Sequence, residues 1–176
     1  MITDWPAFLA RIHAIEREWM GKGNQGVAQS LPWMPFSISR FVMYLTDAVC
    51  AAPGTEFLEV GCGPGSKALL AAALFDLDAY GFDLDEDMVK AALDNGANAC
   101  VADALKYPAY GGADIVYVNK PLHLPLEADL ERKVYEDMKP GAVLILANGA
   151  TRPPAQWYPV SVEWDMNTGV FQKPPV

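Results

Sequence analysis

The sequence predicts an α/β fold: a doubly wound, mostly parallel sheet with an antiparallel C-terminal hairpin and helices at the N-terminus. Three observations carry this. Short apolar runs alternate with helical patterns between Thr55 and Ala147, the arrangement that covers a parallel sheet on both faces. The 176 residues are 52% hydrophobic and 20% charged, which suits one domain with a real core. Before Pro53 the periodicity is helical, and after Thr151 two short apolar runs flank turn residues. We expect a single domain over 1–176, with N-terminal helices and a possible lid over 1–52, a core over 53–150 and a hairpin over 151–176.

Taken in order, Trp5, Phe8, Ile12, Ile15 and Trp19 recur at spacings of three and four, one face of a helix. Thr3 or Asp4 caps it, and Pro6 is tolerated in its first turn. GKGNQGVAQSLPWMP follows as a Gly- and Pro-rich segment that nevertheless carries Trp33 and Met34. Ser37 caps a second helix with Ile38, Phe41, Val42, Leu45 and Val49 on its buried stripe, and Pro53-Gly54 ends it. Strands are then expected over Thr55 to Val60, Ala79 to Phe82, Asn98 to Ala102, Ile115 to Val118 and Ala142 to Ala147. Helices are expected over Ser66 to Phe75, Asp85 to Asn95 and Glu127 to Met138, with Leu130, Val134 and Met138 facing the sheet. The stretch through Pro108 and Gly111-Gly112 holds no full helix. Val160 to Trp164 and Gly169 to Gln172 form the hairpin.

Charge and composition exclude several classes of partner. A formal net charge of -9 and a pI near 4.6 repel polyanions, and no block of Lys and Arg offsets them, so nucleic acid is disfavoured. Cys50, Cys62 and Cys100 are odd in number, and with His13 and His123 they make no metal-ligand cluster; we expect no metal and a reducing, cytoplasmic setting. The amphipathic start is neither a signal peptide nor a membrane span, and no apolar run reaches the roughly 18 residues that a bilayer needs.

The chemistry concentrates at FLEVGCGPGSK, residues 57–67, where an apolar strand runs into glycines at alternate positions. A strand, a glycine turn and a helix place a ligand at the carboxyl edge of a parallel sheet. A phosphate loop needs G-x-x-x-x-G-K-[ST] and a dinucleotide loop needs G-x-G-x-x-G; Gly61, Gly63 and Gly65 fit neither. Glu59 also argues against a diphosphate by Coulomb repulsion. A ligand with a cationic end fits better: Glu59 meets an ammonium while the glycine backbone and the helix N-terminus approach a carboxylate. Asp83, with Leu84 after it, ends the second strand with an acceptor for two ribose hydroxyls, and Asp103-Ala104 follows the third with an acceptor for the adenine amine. Amino acid, ribose and adenine together describe S-adenosylmethionine. Against these stand plainer roles: the glycines as a turn, Asp83 and especially Asp85 as helix caps, Cys62 as a small residue whose backbone matters more than its thiol, and His123 as a surface residue.

From Thr55 to Asn148 the sequence resembles the class I, Rossmann-like S-adenosylmethionine-dependent methyltransferases. The resemblance rests on Glu59-x-Gly61-x-Gly63-x-Gly65, Gly81-Phe82-Asp83, Ala102-Asp103-Ala104, Asp114 to Asn119 and Lys139 to Ile145. It implies that the glycine loop, including Cys62, holds the methionine part, that Asp83 binds the ribose hydroxyls and that Asp103 lies beside the adenine. It also implies a seven-stranded sheet whose seventh strand is antiparallel. The chain is short for the family, with no clear helix between the fifth strand and the hairpin.

The acceptor belongs above the end of strand four, where Asn119-Lys120-Pro121-Leu122-His123 follows. Amino-methylating relatives carry Asn/Asp-Pro-Pro-Tyr/Phe there; this chain keeps Asn119 and Pro121 but has Lys120 and Leu122 at the other positions. Asn119, Lys120 and His123 are the candidate catalytic residues, and Asn119 also borders the cofactor. Trp19, Met20, Trp33, Met34 and Phe36 can form an apolar lid or simply bury the first helix. A small-molecule acceptor suits the compact chain; a protein acceptor, or a module that binds the cofactor without turnover, is the alternative, and a dinucleotide-binding oxidoreductase a distant third.

Overall fold

A computed structural model describes residues 2–20, 22, 31, 37–161 and 168–175. Two helices, α1 (Trp5–Trp19) and α2 (Ile38–Ala51), precede an alternating series: β1 (Glu56–Val60), α3 (Ser66–Phe75), β2 (Asp78–Asp83), α4 (Glu86–Asp94), β3 (Ala99–Val101), β4 (Ile115–Asn119), α5 (Leu126–Asp137) and β5 (Val143–Ala147). The short β6 (Tyr158–Pro159) and β7 (Gly169–Gln172) close the chain. Only a single 3-10 turn, Tyr110–Gly112, interrupts the connection from β3 to β4.

The seven strands lie in the order β3-β2-β1-β4-β5-β7-β6. β1 pairs in parallel with both β2 and β4, β5 extends the parallel part, and β7 runs antiparallel to β5. The expected doubly wound sheet with its antiparallel hairpin is therefore what forms. The hairpin's first strand starts earlier than expected, at Tyr158; of the expected Val160 to Trp164 run, Val160 N still donates to Val170 O at 2.8 Å, and residues 162–164 lie outside the described residues.

Side-chain alternation splits the core into two layers. Phe57, Ile115, Tyr117, Val143 and Ile145 face Ile12, Phe41, Leu45 and Leu70 of the first three helices. Leu58, Val60, Val116, Val118, Leu144 and Leu146 face Leu130, Val134 and Met138 on and just past α5. This is the period of two that a sheet buried on both sides demands, and each Leu- or Phe-sized side chain so buried contributes about 2 kcal/mol. Local chemistry sets the ends. Asp4 caps α1 through Ala7 N, and Ser37 caps α2 through Arg40 N. Asp85 caps α4, accepting from Asp87 N and Met88 N, as the plainer reading of that residue expected. α1 departs from expectation on one face: Trp5 is 38% exposed, whereas Glu16 is buried.

Candidate functional site

Strand order reverses between β1 and β4, each followed by a loop at the same edge, and such a switch point opens a crevice in open α/β sheets. The glycine loop occupies it. Gly61 and Gly65 hold φ of +68° and +81°, and a Cβ on them would come within 2.6 Å of Pro121 Cβ and Ala97 Cβ respectively. No other residue type fits both the dihedral and the space. The loop is tied back by Cys62 N donating to Phe82 O at 2.9 Å and by Gly63 N donating to Asp83 Oδ2 at 2.9 Å.

The three acids that follow or end consecutive strands occupy different electrostatic settings. Glu59 is only 3% exposed, and Ala68 N donates to its Oε2 at 2.9 Å. Burial pushes its carboxyl up to about 8, against the pull of the Lys67 ammonium and the Ala68 N–H. It stands behind the loop, where it holds its proton up to about pH 8 in the ligand-free protein. Asp83, at the end of β2, accepts from Gly63 N through one oxygen and from Asp85 N, at 3.1 Å, through the other. Burial raises its carboxyl, and those two N–H donors resist. Asp103 lies beyond β3, accepts from Leu105 N at 3.0 Å and meets Lys106 Nζ at 2.9 Å, which lowers it. Leu84 and Ala104, the residues after Asp83 and Asp103, are half-buried. Cys62 is buried, and burial drives its thiol far up, so its backbone is the part in use.

Behind the loop lies a cluster that the sequence reading missed. Glu16 of α1 forms a buried ion pair with Lys67 and accepts from Ser66 Oγ at 3.1 Å, locking the first helix to the start of α3. A signal existed: Glu16 stands four residues after Ile12, on the apolar stripe.

On the other side of the switch point, Asn119 ends β4 and its Oδ1 accepts from Asn148 Nδ2 at 2.9 Å. Asn148 follows β5 with φ of +56° and Lys120 has φ of +38°. Lys120 and His123 are exposed, and the His123 carbonyl accepts from Glu127 N at the start of α5. Glu127 and Glu131 are wholly buried beneath these loops; the sequence reading gave neither them nor Asn148 a role in the site. Leu31 N donates to Pro121 O at 3.1 Å, bringing one residue of the N-terminal segment to this loop. Trp19 is half-buried and Met20 exposed, while Trp33, Met34 and Phe36 lie outside the described residues. Asp114 and Lys139, part of the resemblance, pair at 2.7 Å at the opposite edge of the sheet, where they are structural. Among the described residues no group of three His, Cys, Asp or Glu side chains is placed to hold a metal, and no helix is long and apolar enough to cross a membrane.

Residues 57–141 match the model of a methyltransferase domain. The chain is 32% identical over 116 residues to phosphoethanolamine N-methyltransferase 3 of Arabidopsis thaliana, covering 61% of this chain and 24% of that protein. It is 31% identical over 112 residues to 2-methyl-6-phytyl-1,4-hydroquinone methyltransferase of Synechocystis sp., covering 59% and 35% respectively. In fold it is similar to an RNA methyltransferase from Salinibacter ruber solved with S-adenosyl-L-homocysteine, with a TM-score of 0.59, 19% identity and coverage of 80% of this chain and 92% of that one. The chain thus spans about a quarter to a third of the length of these two curated relatives. The sheet order, the glycine loop at its switch point and the matched domain define a nucleoside-binding α/β fold of the methyltransferase type. Residues 57–141 are a methyltransferase domain, in the fold of the class I S-adenosylmethionine-dependent methyltransferases.

Proposed function

We propose that this chain transfers a methyl group from S-adenosylmethionine to a small-molecule acceptor. The observation that carries the reading is the row of Glu59, Asp83 and Asp103 along the ends of β1, β2 and β3, with a glycine loop at the switch point whose Gly61 and Gly65 leave no room for a Cβ against Pro121 and Ala97. When bound, the cofactor supplies a methyl group on a positively charged sulfur. Gly61, Cys62, Gly63 and Gly65 line the methionine end with backbone, and a bound ammonium lowers the buried Glu59 carboxyl behind them towards its charged form. Asp83 accepts from the ribose hydroxyls with Leu84 alongside, and Asp103 and Ala104 border the adenine.

Methyl transfer is an in-line displacement, so the residues beyond β4 have chiefly to align the acceptor and keep water out. Asn119 is the first of these. With its Oδ1 engaged by Asn148, it offers its own N–H donors to an acceptor molecule. Lys120 and His123 supply a charge and a proton carrier on the same loop. Leu31, whose N donates to Pro121 O at 3.1 Å, borders the same loop. The small acceptor is supported by the net charge of -9 and by the two curated relatives, whose names specify phosphoethanolamine and a hydroquinone. Its three cysteines are free thiols, which favours the cytoplasm.

The test is to incubate the protein with S-adenosylmethionine and, separately, with small-metabolite, protein and RNA pools, following S-adenosylhomocysteine. Turnover with the metabolite pool is expected. Turnover only with protein or RNA would overturn the acceptor class, and binding without turnover in any pool would make the chain a cofactor-binding module.

A further inference from the structure

Glu127 and Glu131 stand one turn apart on the stripe of α5 that also carries Leu130 and Val134, and both are 0% exposed. Two carboxylates that deep would repel each other and lose their hydration. Yet each is bound to the backbone of a different loop. Leu122 N, in the loop after β4, donates to Glu127 Oε2 at 2.9 Å. In the loop after β5, Ala150 N and Thr151 N each donate to Glu131 at 2.6 Å, joined by the Thr151 hydroxyl and, at 3.5 Å, by Tyr135 OH. Those loops begin with Asn119 and Asn148, whose amides meet at 2.9 Å.

The two acids are not equivalent. Glu131 accepts four hydrogen bonds, which suits an ionised carboxylate. Glu127 accepts one, and its Oε1 is buried with no hydrogen-bond partner among the described residues. A bare anionic oxygen there is costly, whereas a protonated one can turn its hydroxyl toward Glu131. We propose that Glu127 and Glu131 form a carboxylic acid–carboxylate pair in which Glu127 holds one proton, and that this pair positions the loops presenting Asn119 and Asn148 to the acceptor. The second half of this statement rests on the acceptor reading above; the first does not.

The groups around the pair agree with that division. Burial is the main cause raising Glu127, to about 7; Glu131 raises it further, while Leu122 N–H and the Lys120 ammonium oppose. Burial is likewise the main cause raising Tyr135 on α5 and Tyr110 in the 3-10 turn, and of the surrounding acids Glu127 contributes least to either. As the folded value lies above the ordinary 4.5, the pair stabilises the fold most at low pH and loses that contribution as pH rises through about 7.

The test is carbon NMR of the glutamate carboxyls with Glu127→Gln and Glu131→Gln. Glutamine at 127 keeps an acceptor for Leu122 N and a donor toward Glu131; at 131 it turns an amide against two N–H donors. The signal missing from Glu127→Gln is expected to titrate near 7 in the unaltered protein. Glu131→Gln is expected to speed amide exchange at Leu122, Ala150 and Thr151 by about tenfold or to prevent folding, with Glu127→Gln within about twofold of the unaltered protein. A Glu127 signal titrating below 5, equal effects of the two variants, or failure of Glu127→Gln to fold would each overturn the pair. Titration with S-adenosylhomocysteine separates the readings: no binding would sink the methyltransferase reading and leave the carboxyl titration standing.

Discussion

The two halves of the carboxyl edge solve the problem of placing polar groups in different ways. On the cofactor half, at β1, β2 and β3, acids lie at or just past strand ends, and Asp83 is fastened to the glycine loop by Gly63 N. On the proposed acceptor half, at β4 and β5, the residues at the strand ends are the neutral amides of Asn119 and Asn148, and the acids sit underneath, on α5, holding the loops by their backbone N–H groups. One half presents Asp83 and Asp103 and keeps only Glu59 behind its loop, whereas the other conceals both of its acids. A nucleoside ligand needs hydrogen-bond acceptors in reach, whereas acceptor-side loops need rigidity and a surface free to vary.

The largest effect separating the halves is expected from Gly65→Val. With φ of +81° and only 2.6 Å from its Cβ position to Ala97 Cβ, the variant should lose about 3 kcal/mol of stability and its S-adenosylhomocysteine binding. Thermal melts and calorimetric titration would show it; an intact melting temperature with full binding would mean that the loop is not the cradle. Next comes pH. Glu59 has an ordinary value of 4.5 and a folded value of about 8, so the folded chain holds a proton that the unfolded chain releases between those values. Stability of the ligand-free protein from this group is complete below pH 4.5 and is lost as pH rises towards 8. The melting temperature should fall over that window, and Glu59→Gln should flatten the fall; a rise with pH would reverse the assignment. The smallest effect tests the acceptor half. Asn148→Ala frees Asn119 Oδ1, and should leave S-adenosylhomocysteine affinity within about twofold while raising acceptor KM several-fold. A matching loss of cofactor affinity would show that the halves are not separate.

This contrast also explains what was legible in the sequence. Strands betray themselves by apolar runs, so the sheet could be read directly, and acids near strand ends beside alternate glycines singled out Glu59, Asp83 and Asp103 as candidates. α3 begins and ends at the expected residues, and the other core elements shift by one residue at either end. Glu16, Glu127 and Glu131 escaped because a charged residue in a helix is ordinarily solvated. Their positions carried the warning: 127, 130, 131, 134 and 138 are one helical stripe, acids included. Asn148 gave no such signal, since its role comes from β4 and β5 pairing in register, Asn119 opposite Ala147. The hairpin's early start at Tyr158 was hidden because its first strand is only two residues long, with Pro159 at the sheet edge.

The central claim is that an adenosine-bearing cofactor lies along the ends of β1, β2 and β3. Calorimetric titration of S-adenosylhomocysteine into the unaltered protein and Asp83→Ala tests it most directly. One-to-one binding is expected, weakened about tenfold in the variant because the ribose hydroxyls lose their acceptor and Gly63 N loses its partner. No binding to the unaltered protein, or equal affinity in both, would contradict the account.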